Sequence, residues 1–490
     1  MNALETARFA RQVGFGLGPE EATPPDAVGW ASGQLDSAPK VKFLASRAGD
    51  ELVVPPEVRL LETQEEVAQA LQRHIDSRLA VLAASRTMSK PQWEALRFQT
   101  MQPFINLTGW QEGLARGCMA VNGPAPVFER FWHFWTNHFT VAPSLNNLSH
   151  TAVGPYMRML RRHMTGSFRD MLFEAVTHPA MVLYLDNARS TGANSIARRS
   201  RATTDEINEN LGRELLELFT ISTAAGYSQQ DVDAVTHILT GWGVQLPNRA
   251  ARPGLPLGSY FNYDRHEPGT QTFMGKSYSA VIRHDGKLND LIDDLAAHPL
   301  TAQHICTKIA TAFLADKPHP ASIARLVTVF SSTKGNLPAL HKAVVREVAE
   351  SSPTLRKFVD PQTWLWTAHR VSGARLPTAP PQRGVAGERI HGTLDELGQA
   401  IHDCPQPNGW SLQSQDWISR EMMERRLRYG YHLTRRIAQP AESLPQVLAR
   451  QHGPDSDLVK QLNGLKAKDL DAKDLWTAYL TSPAFLWSQA

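Results

Sequence analysis

Two stretches of this chain hold groups that could do chemistry. The first is FWHFWTNHFTV, residues 131 to 141, where His133, Asn137 and His138 stand among Phe131, Trp132, Phe134, Trp135 and Phe139. An imidazole in such surroundings is either a ligand or base whose tautomer a partner fixes, or a hydrogen-bonded core group. The second is TTDEINENLGRELLELF, residues 203 to 219. On a helical wheel from Glu206, the apolar Ile207, Leu211, Leu215, Leu218 and Phe219 fall on one side, and Glu206, Asn210, Arg213, Glu214 and Glu217 gather opposite. Turned to an inner cleft, paired carboxylates hold a divalent metal or divide the acid and base roles. Turned to water, they form a solvated face on which Arg213 neutralises Glu209 or Glu217. Gly212 costs about 1 kcal/mol inside a helix, which implies that something packs close to the backbone there.

These groups need elements to position them, and helical periodicity dominates the chain. Val67, Leu71, Ile75, Leu79 and Leu82 recur at steps of three and four and predict one apolar stripe. VGPYMRMLRRHMTG, SFRDMLFEAVTHPAMVLYL, LNDLIDDLAAH, TAQHICTKIATAFLA, SIARLVTVFSST and LPALHKAVVREVAE behave alike, as do SREMMERRLRYGYHLTRRIA and LDAKDLWTAYLTSPAFLW near the end. Thr203 with Glu206, and Ser228 with Asp231, have the form of capping boxes. Alternating patterns are scarce, and YFNYD with QTFMG predicts one short hairpin around 260 to 275. The expected fold is mainly α, a large multi-helix domain with little β structure. Residues 1–372 form the main helical body, 373–388 a Pro/Gly-rich linker or loop, and 389–490 a C-terminal helical segment packed on the same body.

Composition excludes some roles. The 490 residues carry 51 basic and 48 acidic groups, a net charge of +3, which is no footprint for nucleic acid. Cys118, Cys306 and Cys404 lie too far apart for a CxxC site and read as buried thiols. No apolar run reaches the length of a membrane span, and the start lacks a secretory core, so the chain reads as cytoplasmic.

FWTNHFTV, YLDNARSTGANS, NENLGRELLELFT, GYSQQDVDAVTHILTGW, HEPGTQTFMG, HPLTAQHICTKIATAFL and CPQPNGW, in that order, resemble the large bacterial domain-of-unknown-function family DUF1800. RQVGFGLGPEE and YLTSPAFLW resemble that family's ends, so the resemblance covers nearly the whole chain. It implies a mostly helical fold, no established activity, export in many members, and an alkaline-phosphatase-like partner encoded by a neighbouring gene. Its polar signature maps onto Trp135, Asn137, His138, Asp186, Asn187, Ser190, Asn208, Asn210, Arg213, Glu214, Glu217, His266, His298, Trp242 and Trp410. This chain departs from the pattern at Phe219 in place of histidine, Glu267 in place of aspartate, Gln271 in place of lysine and Cys404 in place of proline. If the family site is a metal centre, this member has a ligand missing.

From these residues come two expectations. In the first, His138, Asp186, Glu214, Glu217, Arg213 and His266 converge on one polar cleft for hydrolytic or metal-assisted chemistry. Trp135, Asn137, Asn187, Asn210, Trp242 and Trp410 then contact substrate. A divalent metal is the candidate cofactor, and Asp186 or Glu214 is the expected partner of His138. Against this, Asp186 and Asn187 also suit an Asx turn, His298 a helix start before Pro299, and the tryptophans a core. In the second expectation the chain is a non-catalytic binding or assembly protein whose site is partly degenerate.

Overall fold

The computed structural model describes the chain apart from residues 20, 40–62, 107–111, 143–147, 249–255, 280–285, 352–356, 375, 377–389, 435–436, 438–443, 454–455, 467–470 and 488–490. Helices dominate, and the fold is mainly α. The starts follow from the sequence. Ala3–Val13, Gln64–Ala84 and Gln229–Leu239 each begin with a reciprocal capping box, from Asn2 with Glu5, Thr63 with Glu66, and Ser228 with Asp231. Three other helices, Pro179–Tyr184, Pro299–Phe313 and Pro320–Ser332, start at a His-Pro step. There proline fits the first turn, and Nδ1 of His178, His298 or His319 accepts the amide two residues on, at 3.2 Å each. His298 thus has a structural task.

The helix expected to start at Thr203 does not form there. Residues 203–209 are irregular, and the α-helix runs only over Asn210–Glu214 before a wider π turn, Leu215–Phe219. The Thr203 hydroxyl instead accepts the Asp205 amide at 3.0 Å, which turns the Asp205 carboxylate between Arg189 and Arg265. The stripe on Gln64–Ala84 is also only half used. Val67 and Leu71 are buried, whereas Leu79 and Leu82 stand out where the helix runs past the body beside Lys90–Asn106.

Two antiparallel hairpins replace the one expected. Strand β1, Trp242–Gln245, pairs with β2, Gly258–Phe261, and β3, Gln271–Phe273, pairs with β4, Lys276–Tyr278. YF and QTF therefore belong to different sheets. Met274 and Gly275, at φ 46 and 79°, make a two-residue turn that gives the second strand its own close partner.

The core has two neighbouring clusters. One gathers helices from Ala3–Val13 to Leu337–Glu350 around Phe131, Trp135 and Phe313. The other joins residues from Phe358 to Leu486 with Phe15, Leu114, Cys118 and Val121, so the C-terminal helices pack on Gly113–Asn122. Helix Pro361–Ser372 ends at Gly373 with φ 68°, and most of the expected linker lies outside the described residues. All three cysteines are buried, and burial pushes the Cys118 and Cys306 thiols up to about 12. No helix among the described residues is long and apolar enough to cross a membrane.

Several histidines are buried within this core. Burial pulls His74 and His266 down to about 4 and His178 and His341 to about 3. The unfolded chain takes up protons near pH 6.5 and the folded chain does not, so stability is complete above that pH and lost as the pH falls towards 4. At pH 5 each such group removes about 2 kcal/mol, and four together rival a typical net stability of about 10 kcal/mol. Thermal melts from pH 7.5 to 5 should show a steep fall in Tm below pH 6.5, and a flat profile contradicts this account.

Candidate functional site

Helix Pro126–His138 carries the first motif and is buried on every side except at Asn137. A helix so enclosed must find partners for its polar groups inside the protein. Trp132 Nε1 donates to the Met157 carbonyl at 2.7 Å, and Trp135 Nε1 donates to His341 Nε2 at 2.8 Å. Trp135 is therefore a fully buried core pillar. Asn137 meets Trp410 with both ends of its amide: Nδ2 donates to the Trp410 carbonyl at 2.9 Å and Oδ1 accepts the Trp410 amide at 2.7 Å. Gly409 makes this possible, because a Cβ there would sit 2.3 Å from the Asn137 carbonyl. Asn137 and Trp410 are thus held together in a backbone clamp.

His138 closes the same helix inside a cage of Phe134, Trp135, Phe139 and Phe219. The Phe219 backbone favours the charged ring a little, yet no well-formed hydrogen bond reaches either nitrogen. Burial, then Lys308 and His304, hold the ring far below the usual range, so it is neutral. The expected partnership with Asp186 or Glu214 is not made. Asp186 is exposed, with φ 58°, at the turn that ends Pro179–Tyr184.

Along Asn210–Glu214 and the π turn, Arg213, Glu214 and Glu217 form one half-buried face, while Asn210 and Glu206 are exposed. The close contact implied by Gly212 is Thr236 of Gln229–Leu239, whose Oγ1 would lie 2.5 Å from a Cβ. Arg213 donates to Glu209 at 2.9 Å and to Gln229 at 3.1 Å. Burial and the neighbouring Glu217 raise the Glu214 carboxyl, with Arg213 opposing. Tyr227 is raised by burial and by the same two glutamates. Tyr184, its hydroxyl buried without a partner, is pushed up to about 12 by burial, Cys404 and Glu214. The face thus holds two carboxylates, one guanidinium and two phenols.

A separate group forms around β1. Asn187 Nδ2 donates to the carbonyls of Leu239 and Trp242, at 3.1 and 3.2 Å, and so fixes the turn between helix and strand. His266 donates from Nδ1 to the Thr240 carbonyl at 2.8 Å, leaving Nε2 bare, buried and without a partner. The Glu267 carboxylate accepts the amide and the side chain of Asn194, at 2.9 and 2.7 Å. Gln271 accepts from His237 at 3.1 Å. Beside them Ser190, Trp242, Tyr260 and Asn262 line a cavity of about 130 Å³.

The six candidate catalytic groups are therefore not all in contact: Arg213, Glu214 and Glu217 share a face, His138 and His266 are enclosed elsewhere, and Asp186 meets water. Among the described residues no three His, Cys, Asp or Glu side chains are grouped to hold a metal ion. With the order of these motif-built clusters in place, the comparison with known families is decisive: the model for proteins of unknown function DUF1800 matches residues 8–487. The chain belongs to the DUF1800 family. No curated protein and no solved structure matches it.

One polar centre of this DUF1800 member was missed from the sequence. Asp360 caps Pro361–Ser372 and lies 3.4 Å from His133 and 3.9 Å from Arg130. Burial would raise its carboxyl, but His133 and Arg130 outweigh this and hold it far below the carboxylate range. His133, and not His138, has a carboxylate partner. The signal was available in DPQTW, an Asp-Pro helix start. Changing Asn137 to Ala removes both hydrogen bonds to Trp410 and should cost about 2 kcal/mol in denaturant unfolding. An N137A chain as stable as the parent contradicts the clamp.

Proposed function

We propose that this DUF1800 member is an acid–base hydrolase whose working groups are Glu214 and Glu217. Glu214 takes the role of acid and Glu217 that of base, with Tyr227 and Arg213 beside them. The observation that carries this is one half-buried face on which two carboxylates stand beside Arg213 and Tyr227, with burial and Glu217 raising the Glu214 carboxyl. A divalent metal would find two oxygen ligands there and take the rest from water or substrate. Carbon-13 NMR titration of the glutamate carboxyls is the direct test. The Glu214 midpoint should lie above about 4.3 and fall when Glu217 is changed to Gln. E214Q should also lower hydrolysis of a responsive nitrophenyl ester, phosphate or glycoside by about a hundredfold or more. A Glu214 midpoint at or below the ordinary value removes the basis for the reading.

A linked stability effect follows from the sign of that shift. The folded state binds the Glu214 proton more tightly than the unfolded chain, so ionisation costs stability as pH rises through the carboxylate range. E214Q should be more stable than the parent at pH 7, with the difference in Tm fading below pH 4.

A second reading is favoured by Phe219. Its ring centroid lies 6.2 Å from that of His138, which also lies 6.3 Å from His304. The resemblance implies a histidine at that position, so an apolar ring fills the place of a third imidazole. On this reading the chain keeps its scaffold as a binding or assembly protein, acting with an alkaline-phosphatase-like partner. Elemental analysis after dialysis discriminates: F219H should take up zinc in stoichiometric amount while the parent takes up none. Equal metal content in the two proteins removes this second reading.

A further inference from the structure

The polar centre around Asp360 borders a cavity that neither reading uses. Arg11, Arg130, His133, Lys357, Asp360 and Trp417 line it, and its volume is about 40 Å³. A buried water needs about 10–15 Å³, so this is room for about three waters or one small oxyanion. Three of the lining side chains, Arg11, Arg130 and His133, are more than nine-tenths buried and hold polar atoms that nothing satisfies. Arg11 donates from Nη1 to the Ala484 carbonyl at 3.1 Å, while its Nε and Nη2 are buried without a partner. Arg130 approaches Asp360 through Nη2 at 3.9 Å, and its Nε has no partner. His133 turns Nε2 to Asp360 at 3.4 Å, and its Nδ1 is likewise buried and bare. The charges do not balance either. Lys357 pairs with Asp316, so Asp360 stands against both Arg130 and Arg426, and the charged neighbours of Arg11 are Tyr479 and Arg8. Phe485 and Phe313, at 5.7 and 5.2 Å from the guanidinium carbons of Arg11 and Arg130, offset part of this. A buried cation ordinarily has an anion beside it, because an uncompensated charge is costly away from water.

We propose that this cavity is a binding site for inorganic phosphate. Arg11 Nε and Nη2, with Arg130 Nε, donate to the phosphate oxygens, the pairing for which a guanidinium is shaped. The half-buried Asn137, Ser411 and Leu412 line the more open side, through which the ion enters. His133 decides between oxyanions. Facing a carboxylate, its Nε2 carries the proton, and burial keeps the ring neutral although Asp360 opposes this. Nδ1 is then a lone pair, which repels a bare oxyanion but accepts from the hydroxyl of hydrogen phosphate. Sulfate at neutral pH has no such hydrogen. The site is independent of Glu214 and Glu217, neither of which lines it.

Equilibrium dialysis of the full-length protein against radiolabelled inorganic phosphate, near pH 7 in constant chloride, tests the proposal. The parent should show saturable uptake of one phosphate per chain. Unlabelled sulfate should displace it about tenfold less well than unlabelled phosphate, the effect of one lost hydrogen bond. R11Q and R130Q should each weaken uptake about tenfold or more. R189Q, at a side chain 81% exposed, should leave it unchanged. Melting curves in chloride alone show which variants fold, and either of the two cavity variants suffices to read the site. Absence of saturable uptake by the parent overturns the proposal, as does a folded R11Q or R130Q protein that binds like the parent. Displacement by sulfate as readily as by phosphate overturns the part given to His133.

Discussion

Everything in this molecule leans on the helix Pro126–His138 being enclosed at every residue but Asn137. Its apolar groups supply the centre of the larger core, where Phe131 stacks on Phe313 at 4.4 Å and Trp135 packs against Phe139 and Phe168. Its polar groups then determine what surrounds it. Arg130 and His133 call for Asp360, Trp135 for His341, and Asn137 for the backbone at Trp410. Each of those partners comes from a distant part of the chain. The N-terminal helices, the middle of the chain and its C-terminal third are tied together through the hydrogen-bonding needs of thirteen residues. An unpaired buried donor costs about 1–3 kcal/mol, so these ties are mutually dependent.

That arrangement also explains the position of the carboxylates. Phe219 reaches the cage around His138, and this anchors the end of the π turn in the core. Leu211, Leu215 and Leu216 bury the inner side of the same segment. What remains is the opposite side, where Arg213, Glu214 and Glu217 are held half out of water. Half-burial is sufficient to raise one carboxyl while a path to solvent stays open. The tight approach of Gly212 to Thr236 keeps the segment against its neighbour, so the polar face cannot turn freely.

Much of the helical architecture was legible because it rests on local rules. The capping box at Ser228 and the helix start at His298 before Pro299 hold in the structure at the positions read from the sequence. The wheel drawn from Glu206 failed for a local reason too, since the Thr203 hydroxyl turned back on Asp205 and the helix starts nearly two turns later, at Asn210. The hairpin was misassigned because YF pairs back with Trp242–Gln245 and QTF pairs forward with Lys276–Tyr278 across a two-residue turn. Long-range pairings were not legible. Trp135 and Asn137 belong to the same motif as His138, and nothing in their spacing distinguishes a pillar and a clamp from substrate contacts. Asp360 was overlooked because its importance depends on His133, more than two hundred positions earlier in the chain.

The wide turn at Leu215–Phe219 has one more implication. A π turn is a helix carrying one surplus residue, and each residue rotates the helix by about 100°. Dropping a single residue there would restore ordinary helical phase and present a different side chain to the cage around His138, with the flanking backbone nearly undisturbed. The occupant of that cage is thus set by segment length as well as by residue identity. Drift within such a lineage has two independent routes by which to swap a ring for an imidazole, or to undo the swap.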